Sequence, residues 1–505
     1  MTHRPSSWFL SIVMAACLIG ALAARADVRL PGMFSDNMVL QQGIKVPVWG
    51  WAADGESVTV KFRGQTVTVV AKNGRWMVQL TKLKAGGPDE FVVTGNNTIT
   101  LKNVLVGEVW VASGQSNMAM ALRDTSDPKA EIDASANPSL RLFTVPTRKA
   151  DAPLDDVKAT WQECNAKTSP GFSAVGYFFG RDLRQARGVP VGIIHTSWGG
   201  SPAEVWMSQD VLETNPDYKR DILDPYPKQL KAYEENLAQW EKEAADLKKQ
   251  GKEPARGRPW PAWKPAELYN GMIAPLLPYA IHGAIWYQGE GNAGRAWQYR
   301  TLFADLIRNW RRDWKQGDFT FLAVQLAPFT EIKKQPVESD WAELREAQVL
   351  ATQTLPKVGV AVITDVGDEK DIHPKNKAPV GARLALAARA IAYGEKIEYS
   401  GPAFRSLKVR GQEAVLSFAH VAGGLEARGG DLTGFAICGA DRKWVWGKAQ
   451  IQGDKIVVTS PEVAQPVAVR FGWANYPVVN LWNKAGLPAS PFRTDDFPLT
   501  TMPKK

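Results

Sequence analysis

Glu108-Val109-Trp110-Val111-Ala112-Ser113-Gly114-Gln115-Ser116-Asn117-Met118 is the stretch on which the fold of this 505-residue chain turns. Val109 to Ala112 is apolar at every residue, the pattern of a strand covered on both faces, and a glycine and a polar turn stop it. Outward from it the same pattern recurs in Val191-Gly192-Ile193-Ile194-His195-Thr196 and Gly283-Ala284-Ile285-Trp286-Tyr287. Phe319 to Gln325 and Val358 to Asp365 add two more runs, and helical stretches such as Val175 to Arg187 and Tyr299 to Trp314 lie between them. Buried strands alternating with helices predict an α/β region on a parallel sheet covered on both faces. In open sheets of this kind reactive groups collect at the carboxyl ends of the strands, so the residues just past Ser113, Thr196 and Tyr287 are the first candidates for a site.

On either side the pattern changes to a period of two. Ser57 to Phe62 and Thr66 to Val70 flank Arg63-Gly64-Gln65, and Asn73-Gly74 predicts a hairpin into Arg75 to Leu80. Phe91 to Thr94 and Thr98 to Leu101 complete a small antiparallel β-domain. After about Ile397 alternation returns in Glu413 to Phe418, Lys455 to Thr459 and Pro466 to Arg470, a β-rich region that forms its own sandwich or packs on the first β-domain. Leu230, Tyr233, Leu237, Trp240, Ala244 and Leu247, spaced by three and four, share one helical face. They predict a protruding helical insertion against the sheet, ending in the Pro/Gly-rich stretch Gly251 to Pro265, with a lid or a dimer contact as the other readings. The expected organisation is therefore 1–26, 27–104, 105–396 with the insertion at about 210–265, and 397–505.

Residues 1–26 read as a secretory signal peptide. Met1 to Ser7 is polar and carries Arg4, Trp8 to Leu22 is apolar but for Ser11, and Ala24-Arg25-Ala26 supplies the small-residue exit before Asp27. The competing reading is an uncleaved anchor, for which the apolar run is short. An exported chain, periplasmic or extracellular, with no stable membrane insertion after cleavage is the expectation. The net charge of +9 comes with no block of like charge and no zinc-finger or RNA-recognition signature, so nucleic acid is not expected as a partner. Beyond Cys17 only Cys164 and Cys438 remain, too few for a disulfide scaffold or a four-cysteine zinc site.

Four pieces carry chemistry. Ser116 follows its strand directly, where its hydroxyl and nearby backbone N–H groups face the crevice and could stabilise an oxyanion; a lone serine there also reads as a helix N-cap. The elbow G-x-S-x-G is absent, because position 118 is Met. Gly199-Gly200-Ser201 lets the backbone approach a ligand and offer an N–H, and His195 before it reads as a core histidine. Trp286-Tyr287-Gln288-Gly289-Glu290-Gly291-Asn292-Ala293-Gly294 contains a literal G-x-G-x-x-G. Glu290 would put a carboxylate inside the supposed phosphate loop, and the next strand ends in Gln325 rather than an acid for a ribose, so a dinucleotide site is rejected. Gln288 and Asn292 instead offer amide donors to a carbonyl oxygen. Asp365-Val366-Gly367-Asp368-Glu369-Lys370-Asp371-Ile372-His373-Pro374 supplies a general-base candidate, His373, with carboxylates to orient it; alone it also reads as a solvated or cation-binding loop.

Together, Gly114-Gln115-Ser116-Asn117-Met118, Gly199-Gly200-Ser201, Trp286-Tyr287-Gln288-Gly289-Glu290 with Asn292, and Asp371-Ile372-His373-Pro374 resemble the SGNH-hydrolase superfamily and, within it, the sialate O-acetylesterase family. Phe34 to Gln41 with Val46 to Gly50, and the closing Gly486 to Thr494, extend the resemblance over nearly the whole chain past the signal. The resemblance implies a three-layer α/β/α catalytic domain flanked by β-rich regions, and a serine esterase acting on an O-acetylated sugar or glycan without metal or cofactor. It implies Ser116 as nucleophile and His373 as base. The N–H of Ser116, the N–H of Gly200 and the side chain of Asn292 would form the oxyanion hole, with Gln288 as a competing donor. The superfamily often places an acid three residues before the histidine, and here that residue is Lys370. Asp371 is the first choice for the third member, with Asp368 or a backbone carbonyl as alternatives. Glu290 would orient a neighbour or bind substrate. Sialic acid, xylan or another acetylated polysaccharide are the substrate readings, and a noncatalytic glycan-binding protein is the alternative of another class. Twenty tryptophans offer faces for sugars, with Trp198, Trp206, Trp286 and Tyr287 near the motifs, although core packing is the default for most.

Overall fold

A computed structural model describes residues 27–260 and 262–503; the expected signal segment at 1–26 lies outside the described residues. The apolar run around Trp110 is the second half of a 17-residue strand, Thr98–Gly114. Its first six residues alternate between exposed and half-buried, and from Val104 onward every residue is buried. The first half pairs antiparallel with Gly86–Thr94, while Glu108–Gly114 pairs in parallel within a second set of strands. One strand thus carries the chain from the β-region into the α/β sheet.

Across that sheet the order is Val358–Ala361, Thr320–Val324, Gly283–Tyr287, Thr98–Gly114, Val191–Ser197, Asn137–Thr144 and Gln162–Cys164. The first six run parallel and the last antiparallel. The chain builds one side of Thr98–Gly114 first and then crosses to the other, so the switch point lies at the end of this strand, where Ser116 follows. Successive side chains point to opposite faces. Trp110, Ala112, Ile285, Tyr287, Leu322 and Val324 pack with the helices Ala174–Arg187 and Ala378–Ile391. Their neighbours Val109, Val111, Ala284, Trp286, Phe321 and Ala323 pack with Ala296–Trp314 and Asp340–Thr354. Ser173 and Ser339 cap two of these helices by accepting from the N–H of Gly176 and Ala342, at 3.1 and 3.0 Å.

Asn73 and Gly74 turn the chain with φ of +55° and +71°, but the expected hairpin does not extend beyond the Lys72–Arg75 bridge. Ala71 remains bonded through its N–H to Glu56 and through its carbonyl to Gly55, so Arg75–Leu80 leaves to pair with Val46–Trp51. The insertion forms a long helix, Tyr226–Lys249, with no buried residue. It does not lie against the sheet as expected: its apolar stripe is half-buried and too narrow for a core face. The return segment lies along it instead. Trp240 Nε1 donates to the Arg256 carbonyl at 2.9 Å, and Arg256 and Arg258 lie 3.4 and 3.5 Å from Glu243 and Glu241.

Past residue 400 two four-stranded antiparallel sheets enclose their own core of Leu416, Phe435, Ile437, Ile456, Phe471 and Phe492. Cys164 and Cys438 are buried and, among the described residues, unpaired, and burial pushes their thiols up to about 12 and about 11. No described helix is long and apolar enough to cross a membrane.

Candidate active site

Ser116 is held where three strand ends meet. Gly114 has φ of +136°, and a Cβ on it would fall 2.1 Å from the Tyr287 carbonyl oxygen, so only glycine lets the turn leave the strand there. Gln115 N–H donates to that same carbonyl at 2.9 Å, and Trp198 N–H donates to the Gly114 carbonyl at 3.1 Å. The Gln115 side-chain oxygen accepts from the N–H of Gly291 at 3.1 Å. Ser116 then opens a short helical turn, Ser116–Ala119.

His373 Nε2 lies 2.8 Å from Ser116 Oγ although 257 residues separate them. Asp371 Oδ1 sits 3.4 Å from His373 Nδ1 and accepts the His373 backbone N–H at 2.9 Å. The other carboxylates of the loop are occupied elsewhere. Asp365 pairs with Arg383 at 2.6 Å, Glu369 accepts from the Ile332 N–H at 2.9 Å, and Asp368 accepts from the N–H groups of Lys370 and Asp371. A groove of about 410 Å3 beside His373 is lined by Ser126, Asp365, Gly367, Asp371 and Lys375.

Behind the pair runs a buried network that the sequence did not announce. Asn117 Nδ2 donates to Glu290 Oε1 at 2.6 Å and to the Ile372 carbonyl at 3.0 Å, and its Oδ1 accepts from Lys377 Nζ. One amide therefore ties the residue after Ser116 to the residue before His373. Burial pushes the Glu290 carboxyl up and the Lys377 ammonium down to about 7, and each supports the other's charge. Among the described residues Glu290 Oε2 has no partner. Glu290 thus orients Asn117. Asn117 stands in the Gly114–Met118 motif, whereas Lys377 has no sequence signal, because nothing in the spacing says that its ammonium points inward.

Gly200 (φ +73°) follows Gly199, which approaches Ser116 so closely that a Cβ on Gly199 would lie 3.4 Å from Ser116 Cβ. Among the described residues neither the Ser116 N–H nor the Gly200 N–H is spent on a backbone carbonyl. Asn292 Oδ1 accepts from the Ala203 N–H at 2.9 Å, which fixes the orientation of its amide, and Nδ2 gives one hydrogen to Glu204 at 2.9 Å. Gln288 spends its amide group on Asn292 Oδ1 at 2.7 Å and the Ser201 carbonyl at 3.3 Å. Gln288 is thus filled as a donor, whereas Asn292 keeps one amide hydrogen.

His195 is buried, with Nε2 2.6 Å from Ser197 Oγ, and burial pushes its imidazole down to about 4. Trp206, Trp286 and Tyr287 are fully buried and offer no face to a ligand. Among the described residues no group of three His, Cys, Asp or Glu side chains is placed to hold a metal ion.

A serine hydroxyl bonded to an imidazole at a strand end is the apparatus of acyl transfer. Comparison with known proteins agrees with that class, and the chain is a carboxylic ester hydrolase. Residues 106–390 match the family described as carbohydrate esterase, sialic acid-specific acetylesterase, and the chain belongs to that family. The sialate O-acetylesterase of Homo sapiens is 28% identical, covering 96% of this chain and 95% of its own. That of Rattus norvegicus is 29% identical, covering 94% of each. The crystal structure of a carbohydrate acetylesterase from Xanthomonas citri is 40% identical, with a TM-score of 0.81 over 93% of this chain and 100% of its own.

Proposed function

We propose that this chain is an exported serine esterase that removes O-acetyl groups from sialic acid or a related sugar through a Ser-His(-Asp) acyl-enzyme mechanism. The observation that carries the reading is the 2.8 Å between Ser116 Oγ and His373 Nε2 at the switch point of the sheet. His373 takes the serine proton as Ser116 Oγ attacks the acetyl carbonyl carbon. The N–H groups of Ser116 and Gly200 and the free amide hydrogen of Asn292 receive the oxyanion, with Gln288 holding Asn292 in place. His373 returns the proton to the departing sugar hydroxyl, and water, activated by the same imidazole, releases acetate. Asp371 orients the ring. The scheme needs no metal or cofactor.

In this reading the helices on both faces of the sheet form the three-layer α/β/α sandwich of an SGNH hydrolase at 105–396, between β-regions at 27–104 and 397–505. The sugar has a second reading, acetylxylan or another polysaccharide. The 40%-identical relative is a carbohydrate acetylesterase, a class that takes in both sugars. The Ser116–His373 pair argues against a noncatalytic glycan-binding role. Acetate release from O-acetylated sialic acid and from acetylated xylan, measured side by side with wild type and Ser116→Ala, tests the reading. Activity on neither, or equal activity in the variant, overturns it. N-terminal sequencing of the exported protein tests export, with a start near Asp27 expected.

A further inference from the structure

The mechanism places the acetyl group but gives the sugar no surface to rest on. The tryptophans that lie beside the motifs in sequence do not supply one. Trp206 and Trp286 are core residues, and Trp198 stands edge-on to Trp263 at 5.7 Å with Lys149 Nζ 4.3 Å from the Trp263 ring. Trp260 is different. It is 79% exposed, the highest value among the exposed large apolar side chains of the described residues.

Trp260 belongs to the return segment of the helical insertion, yet its ring edge lies against Gly200. A Cβ on Gly200 would sit 3.0 Å from Trp260 Cζ3, 3.4 Å from Cε3 and 3.8 Å from Cη2. A Cβ on Gly199 would in turn lie 3.4 Å from Ser116 Cβ. The indole therefore borders the Gly199–Gly200 turn beside Ser116 along one edge and is exposed over the rest. Leaving so large an apolar surface in water is costly, and covering it is a source of binding free energy. The segment that carries it is tied down by the Trp240–Arg256 hydrogen bond and by the Glu241 and Glu243 ion pairs.

We infer that Trp260 is the platform on which the acetylated sugar ring stacks, which makes the helical insertion a substrate-binding element; this rests on the esterase reading above. A pyranose has a C–H-rich face that suits an aromatic ring while its hydroxyls stay in water. With the acetyl carbonyl at Ser116 Oγ and its oxygen toward the Gly200 N–H, the attached ring extends from the Gly199–Gly200 turn, and the indole borders that turn. Trp260 touches substrate without taking part in bond making, so it governs selection between esters.

The test uses the full-length exported protein and its Trp260→Ala and Trp260→Phe variants. Each is assayed on para-nitrophenyl acetate, which has no sugar, and on whichever of acetylated xylotriose and O-acetylated sialic acid the wild type cleaves. The ratio of kcat/KM for the sugar ester to that for the small ester is expected to fall about tenfold in Trp260→Ala, through KM. Trp260→Phe, which keeps an aromatic face, is expected to recover most of it. An unchanged ratio in Trp260→Ala, or equal losses on both esters, overturns the inference while leaving the esterase reading standing. A wild type inactive on every ester overturns both.

Discussion

Replacing Asn117 with alanine removes three contacts made by the residue next to Ser116. Nδ2 no longer donates to Glu290 Oε1 (2.6 Å) or to the Ile372 carbonyl (3.0 Å), and Lys377 Nζ loses its acceptor. Glu290 Oε2 already has no partner among the described residues, so the carboxyl loses its one side-chain donor. Hydrogen bonds to charged groups contribute about 1.5–3 kcal/mol each, and a stranded buried group costs more. The full sum does not apply, because Glu290 is already pushed toward its neutral form and Lys377 down to about 7, so both can shed charge. A loss of about 3 kcal/mol is expected, which a protein stable by about 5–15 kcal/mol survives. The catalytic effect is larger. Ile372 adjoins His373, and freeing it lets the imidazole drift from Ser116 Oγ; a misplacement of about 1 Å costs on the order of 10²-fold. The expected result is kcat down about 100-fold with KM within about threefold of wild type. The assay is steady-state hydrolysis of para-nitrophenyl acetate alongside thermal unfolding. A folded Asn117→Ala protein with wild-type kcat, or a loss carried by KM, would refute the view that this amide positions the base.

Ser116→Ala and His373→Ala should each lower kcat by several powers of ten, on the order of 10⁴ to 10⁶, with the fold intact by circular dichroism; substantial residual turnover in either removes that residue from its role. Asp371→Asn should cost less, on the order of 10- to 100-fold, because the contact to Nδ1 is long at 3.4 Å and an asparagine oxygen can still accept the His373 backbone N–H. Rates equal to wild type would exclude Asp371. The buried His195 refuses a proton that the unfolded chain accepts at its ordinary value of 6.5, since its folded value is about 4. More protons on the unfolded state means that stability falls as pH drops through 6.5 to 4, by about 3 kcal/mol from this group. His195→Gln should lack that component in urea unfolding across this range, and identical pH slopes for the two proteins would refute the assignment.

The outline of the fold was legible because burial on both faces leaves a mark along the chain. The runs at Val109–Ala112, Val191–Ile194 and Ala284–Tyr287 carry no polar side chain, and these segments are central strands. Asn73-Gly74 shows the limit of such marks. The dipeptide specified a turn, which is local, but the partner of the next strand depended on which backbone groups upstream were already bonded. The insertion helix was legible from its stripe. Its position off the sheet was not, since a stripe states that something covers it and not what.

By itself the sequence determined which residue types stand at the ends of the buried strands. A serine after Gly114, a Gly-Gly pair after the strand Val191–Ser197, amides after Tyr287 and a histidine in an acidic loop were all readable, because strand ends and turns are local properties. Only the tertiary structure decided which of them meet. Asp371 approaches His373 while Asp365, Asp368 and Glu369 bond elsewhere; Asn292 keeps a free hydrogen while Gln288 is filled; Lys377 turns inward to Asn117; and Trp260 comes against Gly200. Hydrogen bonds and ring contacts act over a few ångströms and depend on direction. The chain separations they close, up to 260 residues here, leave no periodic trace from which those distances could be read.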